Sequence, residues 1–238
     1  MVNKVKKKIR KIVLGKRADS DSYVAYLKSI GVKIGEDVTI YVPSKTLIDE
    51  QYPWMISIGD HVCISEGVKI LTHDYSWSVL KRTCGGILGA CGKVNIGNNV
   101  FIGMNAIISR GVNIGDNVVI GYGSVVTKDC EPNSVYAGVP AKRLMSIDEY
   151  CEKRMSAQKQ EAKELALGYY DRFKKKPSQE IFHEYFMLFK NADNYQENHV
   201  FSNKLKLCGN EDESIVYMKE HKPIFKDYDE FMRYCFDE

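Results

Sequence analysis

Aliphatic residues recur along the middle of the chain with a step that no helix shares. An aliphatic residue followed by Gly or another small residue stands at Ile34-Gly35, Ile58-Gly59, Ile64-Ser65, Ile96-Gly97, Ile102-Gly103, Ile108-Ser109, Ile114-Gly115 and Ile120-Gly121, with Val126-Thr127 after them. Four residues after each aliphatic comes a small or β-branched one: Val38, Val62, Val68, Val100, Ala106, Val112, Val118 and Ser124. The step is six. Two inward positions per hexad are what a short strand and a turn provide, and a helix of period about 3.6 cannot keep that phase. The pattern predicts a solenoid. Each hexad is one strand, three hexads close a triangular coil, and stacked coils place Ile on Ile in a core that no single coil could bury. The Gly, Asn and Asp between strands, as in Gly97-Asn98-Asn99 and Gly115-Asp116-Asn117, suit corners with tight or positive-φ backbone.

The phase also locates the irregularities. The interval from Ile34 to Ile58 is a multiple of six, yet Thr46 and Tyr52 fill the aliphatic places, so a distorted coil is expected around SKTLIDEQYPW. The interval from Ile70 to Ile96 is not a multiple of six, so the chain from about 74 to 93 leaves the solenoid as a protruding loop and returns. An excursion of that length inside a compact domain is functional or disordered, and Trp77 with its glycine pairs argues for a shaped flap. On the N-terminal side, Val2, Val5, Ile9, Ile12 and Val13 fall at helical spacing with lysines opposite. DSYVAYLKSIG reads as a second helix with Asp21 or Ser20 as cap and Gly31 as stop. After Leu144 the hexads cease. SIDEYCEKRMSAQKQEAKELALGYYDRFKKK reads as helix, SQEIFHEYFMLFKNA as another, and an aromatic-rich tail ends in KDYDEFMRYCF. The reading is thus mainly β, in three parts: basic amphipathic N-terminal helices over 1–31, a β-solenoid over 32–145 and a helical extension over 146–238.

Composition changes this picture little. Across 238 residues, 44% are hydrophobic, which allows a sizeable core. The net charge of +3 hides an asymmetry: residues 1–17 carry eight Lys/Arg and no acid, 18–145 carry 11 basic and 12 acidic residues, and 146–238 carry 15 and 19. A neutral body with a basic arm does not suit a nucleic-acid coat, so no nucleic-acid partner is expected. The arm suits peripheral contact with an anionic membrane as well as simple packing with its lysines in water. There is no long apolar stretch for a span or a secretory signal, and the seven cysteines form no CxxC pair, so a cytoplasmic protein is expected, with the inner membrane face as a further site. With five histidines and no HExxH or Cys/His cluster, no metal is expected.

The run KVNIGNNVFIGMNAIISRGVNIGDNVVIGYGSVVTKDCEPNSVYAGVPAKRL, with IGDHVCISEGVKILTHDYSW before it, resembles the hexapeptide-repeat acyltransferases over about Val32 to Leu144. The branch it resembles is that of galactoside and maltose O-acetyltransferases and the sugar acetyltransferases of surface-polysaccharide synthesis. That resemblance implies a left-handed parallel β-helix, a hand that could not have been derived from the hexads. It also implies a homotrimer, acetyl-CoA in the cleft between subunits, and a sugar or glycan acceptor. His73, at the edge of the Ile70 hexad just before the flap, is the implied general base, and histidine is the side chain whose ordinary pKa suits proton abstraction near neutrality. A backbone carbonyl, Asp49 or Glu50 remains to orient it, Asp74 being adjacent in extended chain and so pointing away. Coenzyme A contacts are carried over to Met104, Tyr122, Thr127, Lys128, Lys142 and Arg143, the cations suiting its phosphates. Tyr122 departs from the small residue such sequences commonly hold there. The resemblance also implies a backbone N–H near Gly103 and Met104 as oxyanion donor, and Trp77 and Asp49 are acceptor-side candidates. An amino-sugar N-acetyltransferase is the alternative, followed by a serine- or drug-acetylating enzyme and a non-catalytic scaffold.

Overall fold

The computed structural model describes residues 11–236, which form two compact units that part between Tyr150 and Cys151. The first ten residues, and with them most of the expected basic helix, lie outside the described residues; Lys11 to Leu14 are helical.

The first unit is a parallel β-solenoid. Strands of two to five residues form three sheets, one per face of a triangular coil. The first face stacks Lys33–Ile34, Ile56–Ile58, Val94–Ile96 and Asn113–Ile114. The second stacks Thr39–Ile40, Cys63–Ile64, Val100–Ile102, Val118–Ile120 and Ser134–Ala137, with Lys142–Ser146 turning back antiparallel to close it. The third stacks Leu47–Ile48, Lys69–Ile70, Ile107–Ile108 and Val125–Val126. Register sets each aliphatic on the next: Ile64 on Ile102 on Ile120, and Ile70 on Ile108 on Val126. All of these are 0–1% exposed, so the core runs unbroken along the axis. At strand spacing the corners leave no room for side chains along the stack: a Cβ on Gly59 would meet the Gly97 carbonyl at 2.7 Å.

The early coils deviate from the hexad, and the register corrects one sequence assignment. Thr46 does not take the aliphatic place; Ile48 does, paired with Ile70. The first coil therefore steps by six from Ile34 to Ile40, by eight to Ile48 and by ten to Ile58. Thr46 turns its hydroxyl to the Tyr41 carbonyl inside the wider corner, which is why a buried polar residue is tolerated there. The helix Ser20–Ser29 packs Tyr23 and Leu27 into the same core. Its cap is Asp19, whose Oδ1 accepts from Ser22 N at 2.9 Å, rather than Asp21 or Ser20. Gly31, at φ +110°, ends it.

The excursion after Ile70 leaves and returns as a hairpin. His73–Asp74 pairs antiparallel with Ala90–Cys91, and between them Trp77–Cys84 is helical, stopped by Gly85 in the left-handed region. Val79, Leu80, Ile87 and Leu88 are exposed on this flap.

The second unit begins within the helix Ile147–Phe173 and encloses its own aromatic core. Phe182, Phe186, Phe189, Phe201, Phe225 and Phe231 are buried together, with Phe182 edge-on to Phe189 and Phe231. The segment SQEIFHEYFMLFKNA is not an α-helix but two 3-10 turns, Gln179–Phe182 and Phe186–Leu188. Aromatic residues gain little from helical backbone and much from burial, so short turns that aim the rings inward prevail. Tyr228–Phe236, by contrast, is a helix with Phe231, Met232 and Cys235 inside. Phe182→Ala is expected to destabilise this unit by about 3–5 kcal/mol in urea titration followed by near-ultraviolet circular dichroism. Loss below about 1 kcal/mol would show that the ring is not part of a packed core.

Candidate active site

The three corners of the coil differ in chemistry. Between the first and second faces, asparagines ladder up the stack: Asn99 donates to Asn117 and Asn117 to Asn133, each at 2.8 Å. All three have positive φ, the conformation asparagine tolerates best among residues with a Cβ. At this corner the side chains bond along the stack.

The corner between the third and first faces holds His73. Its Nδ1 lies 2.6 Å from Asp49 Oδ2. The register that places Ile48 over Ile70 puts Asp49 one coil above, with Asp49 N–H donating to the Ile70 carbonyl. Asp49 is 6% exposed and fully engaged: Oδ1 accepts from Gln51 N at 2.9 Å, and Oδ2 accepts from Thr72 N at 3.0 Å and from the Thr72 hydroxyl. Burial opposes its ionisation, but the bonds from Thr72, Gln51 and His73 outweigh that and lower its pKa. An ionised carboxylate only accepts, so Nδ1 carries the proton and Nε2 is left as the basic ring nitrogen. Of the groups considered for orienting His73, Asp49 is the one the ring nitrogen meets, and most of its carboxylate is turned inward to Thr72 and Gln51.

Tyr52 sets its ring edge-on to the imidazole, 5.2 Å between centroids at 72°. Two recesses flank His73. One of about 340 Å³ is lined by Leu71, His73, Asp74, Ser109, Arg110 and Thr127. The other, about 440 Å³, is lined by Arg17, Leu47, Ile48, Asp49, Glu50, Leu71 and His73. Glu50 does not touch the histidine; it accepts from Lys16 Nζ at 3.0 Å, Arg17 Nη2 at 2.8 Å and the Tyr26 hydroxyl at 2.8 Å. It thereby ties the N-terminal segment to the wall of the recess. Asp74 likewise avoids His73: Ser76 donates to it through N and Oγ, and Arg110 Nε donates at 2.8 Å. Those bonds hold its carboxyl well below the usual range, the Ser76 hydroxyl contributing most.

The remaining sequence candidates do not all gather here. Thr127 lines the recess beside His73, and Lys128 follows it, exposed. Met104 and Tyr122 stand at the corner between the second and third faces, lining an apolar groove of about 640 Å³ with Phe101, Val119, Val135 and Tyr150. Tyr122 is 86% exposed, so its bulk is accommodated outside the coil. Lys142 and Arg143 are exposed on the closing antiparallel strand, Arg143 with Glu131 at 4.0 Å. Trp77 is on the flap helix against Tyr75, 4.5 Å between centroids, and lines neither recess. Of the expected oxyanion donors, Gly103 N–H is taken by the Ile120 carbonyl, while Met104 N–H has no backbone acceptor among the described residues. Tyr52, Thr72, Arg17 and Arg110 were not read from sequence; the one signal was the broken phase around SKTLIDEQYPW. Among the described residues no His/Cys/Asp/Glu group is placed to hold a metal, and no helix is long and apolar enough to cross a membrane.

A parallel coil of hexads with a carboxylate-oriented histidine at one corner and an apolar groove at another defines a β-helical transferase. The chain belongs to the hexapeptide-repeat acyltransferases, whose left-handed β-helix it shares; residues 93–128 match the bacterial transferase hexapeptide (six repeats). It is 44% identical to protein CapG of Staphylococcus aureus over 124 residues, 52% of this chain and 71% of that protein. It is 39% identical to the galactoside O-acetyltransferase of Escherichia coli strain K12 over 104 residues, spanning 44% of this chain and only 49% of that enzyme. Among solved structures, a galactoside acetyltransferase in complex with coenzyme A matches at 26% identity and a TM-score of 0.45, covering 62% of this chain and 82% of the other.

The lowered Asp49 pKa carries a sign. A depressed carboxylate stabilises the fold fully above its ordinary pKa of 3.8, and that contribution is lost as pH falls through the lowered value. The stability gap between wild type and Asp49→Asn in urea titration is expected to be full at about pH 6 and to close as the solution is acidified below about pH 4. A gap independent of pH would contradict the hydrogen-bonded carboxylate.

Proposed function

We propose that the chain is an acetyl-CoA-dependent O-acetyltransferase acting on a hydroxyl of a sugar or surface polysaccharide, with His73 as general base. The observation that carries this reading is the 2.6 Å contact of His73 Nδ1 with buried Asp49, which leaves Nε2 basic. An alcohol is a feeble nucleophile near neutral pH, so a base positioned for its proton is the chief requirement. Nε2 takes the hydroxyl proton as the acceptor oxygen bonds to the acetyl carbonyl carbon; the carbon–sulfur bond then breaks, and the imidazolium returns the proton to the leaving thiolate. Asp49 stabilises the imidazolium in between. Met104 N–H is the donor for the negative charge that gathers on the carbonyl oxygen. The apolar groove at Met104 and Tyr122 fits a pantetheine arm, and Lys128 and Lys142, in no ion pair among the described residues, fit phosphates. The O-acetyl class and sugar acceptor draw on the name of the galactoside O-acetyltransferase relative.

Groove and base lie at different corners of one chain, so a shared cleft needs two chains. A homotrimer supplies it, one subunit giving His73 and its neighbour giving Met104 and Tyr122. Lys16 and Arg17 of the basic arm are engaged by Glu50, and the charge of the arm suits contact with the anionic inner face of a membrane. His73→Ala is expected to lower kcat for acetyl transfer by about 10²–10⁴, read as acetyl-CoA consumption against hydroxyl and amine sugars, with the fold retained by circular dichroism. Near-normal turnover would remove His73 from the mechanism, and turnover on amines alone would favour the N-acetyl reading. A second test addresses the cleft. His73→Ala and Tyr122→Arg chains, each inactive alone, are expected to regain activity when unfolded and reassembled together; no recovery in mixed trimers would place base and groove in one subunit.

A further inference from the structure

The flap stem rests on a single corner of the following coil, and two independent contacts seat it. On the outgoing strand, Asp74 Oδ2 accepts from Arg110 Nε at 2.8 Å, while its Oδ1 accepts from the Ser76 amide and hydroxyl. On the returning strand, Gly92 lies so close to the next residue of that corner that an added Cβ would stand 2.6 Å from Gly111 N. The Gly92 amide also donates at 2.9 Å to the carbonyl of Thr72, the residue that holds Asp49. Arg110 and Asp74 line the same recess as His73 and Thr127. One guanidinium thus joins the coil, the strand bearing the base and the first turn of the flap helix, which begins at Trp77. We propose that Arg110 is a positioning residue: paired with Asp74, it sets the angle at which the flap leaves the coil beside His73 and so shapes the acceptor's side of the site.

This rests on the acetyltransferase reading for its kinetic arm, but not for its structural one. The charges balance within the pair, so Arg110 with Asp74 adds no net charge to the recess. Removing it leaves Asp74 held only by Ser76, and the stem keeps its two-residue ladder alone. A two-stranded ribbon that short is weak without side-chain support. The flap helix carries Lys81 and Arg82, both exposed, as a tryptic site that reports on its seating without substrate.

Wild type, Arg110→Gln, Arg110→Lys and the exchange Asp74→Arg with Arg110→Asp are to be compared. In Arg110→Gln, cleavage at Lys81/Arg82 is expected to rise about fivefold or more and the acceptor KM about fivefold, with the acetyl-CoA KM within about twofold of wild type. Arg110→Lys, which keeps the charge but loses the fork, is expected to fall between, and the exchange to restore slow cleavage. Unchanged cleavage in Arg110→Gln overturns the seat. Faster cleavage with an unchanged acceptor KM, or a rise confined to the acetyl-CoA KM, overturns the positioning role. Wild type inactive on every acceptor while the cleavage pattern holds would fault the acetyltransferase reading and leave the seat standing.

Discussion

Everything in the β-helical unit follows from one constraint: each coil must bring its aliphatic residues back over those of the coil before. Where the coil is free of insertions three hexads suffice, as from Ile96 to Ile114 and from Ile102 to Ile120. A slip of one residue would turn the buried set outward. Burying an Ile contributes about 1.5–3 kcal/mol, whereas an exposed Asn–Asn bond at a corner contributes about 1 kcal/mol or less. The core therefore dictates the register, and the corners adapt to it. From Ile64 to Ile102 the chain is more than twice as long as a regular coil, and the excess cannot be taken up inside. It must stand outside the prism, as the flap does, and the chain leaves at the corner that holds His73.

The same constraint explains how the site acquires its partner. Asp49 and His73 are distant in sequence but occupy the same corner on successive coils, so the stacking that aligns Ile48 with Ile70 also delivers a carboxylate to the imidazole. Burial would ordinarily penalise that carboxylate. Thr72, on the coil of the histidine, offsets the penalty with both its amide and its hydroxyl. The dyad therefore depends on three residues whose mutual placement is set by the core and not by local flexibility, which is the kind of support an imidazole needs to hold one tautomer.

Much of this was legible in the chain itself. The hexads announced the coil, the out-of-phase interval between Ile70 and Ile96 announced the flap, and His73 stood where the phase broke. The partner was not decidable, because a carboxylate one coil away can be assigned only when the length of that coil is known. The first coil returns in phase from Ile34 to Ile58, which concealed its unequal steps; with Thr46 in the aliphatic place, Asp49 falls two positions from its true place over the site. The second unit was harder still. Its aromatic residues were plain, but they signalled burial rather than backbone shape, and a small core can collect Phe182, Phe186 and Phe189 from 3-10 turns as well as from a helix.

The corners differ in what they leave available for chemistry. At the asparagine corner the side-chain amides bond to the rung above or below, so the polar groups there run along the stack. At the His73 corner the stacking is interrupted by the flap, and the polar groups there pair across elements instead of along the stack: His73 with Asp49, Asp74 with Arg110. Each pairing fixes one atom of a side chain and leaves another open, Nε2 of the imidazole in one case and the Nη groups of the guanidinium in the other. At this corner the insertion that disturbs the repeat also frees polar groups from the ladder, so an imidazole is held by one nitrogen and exposed at the other.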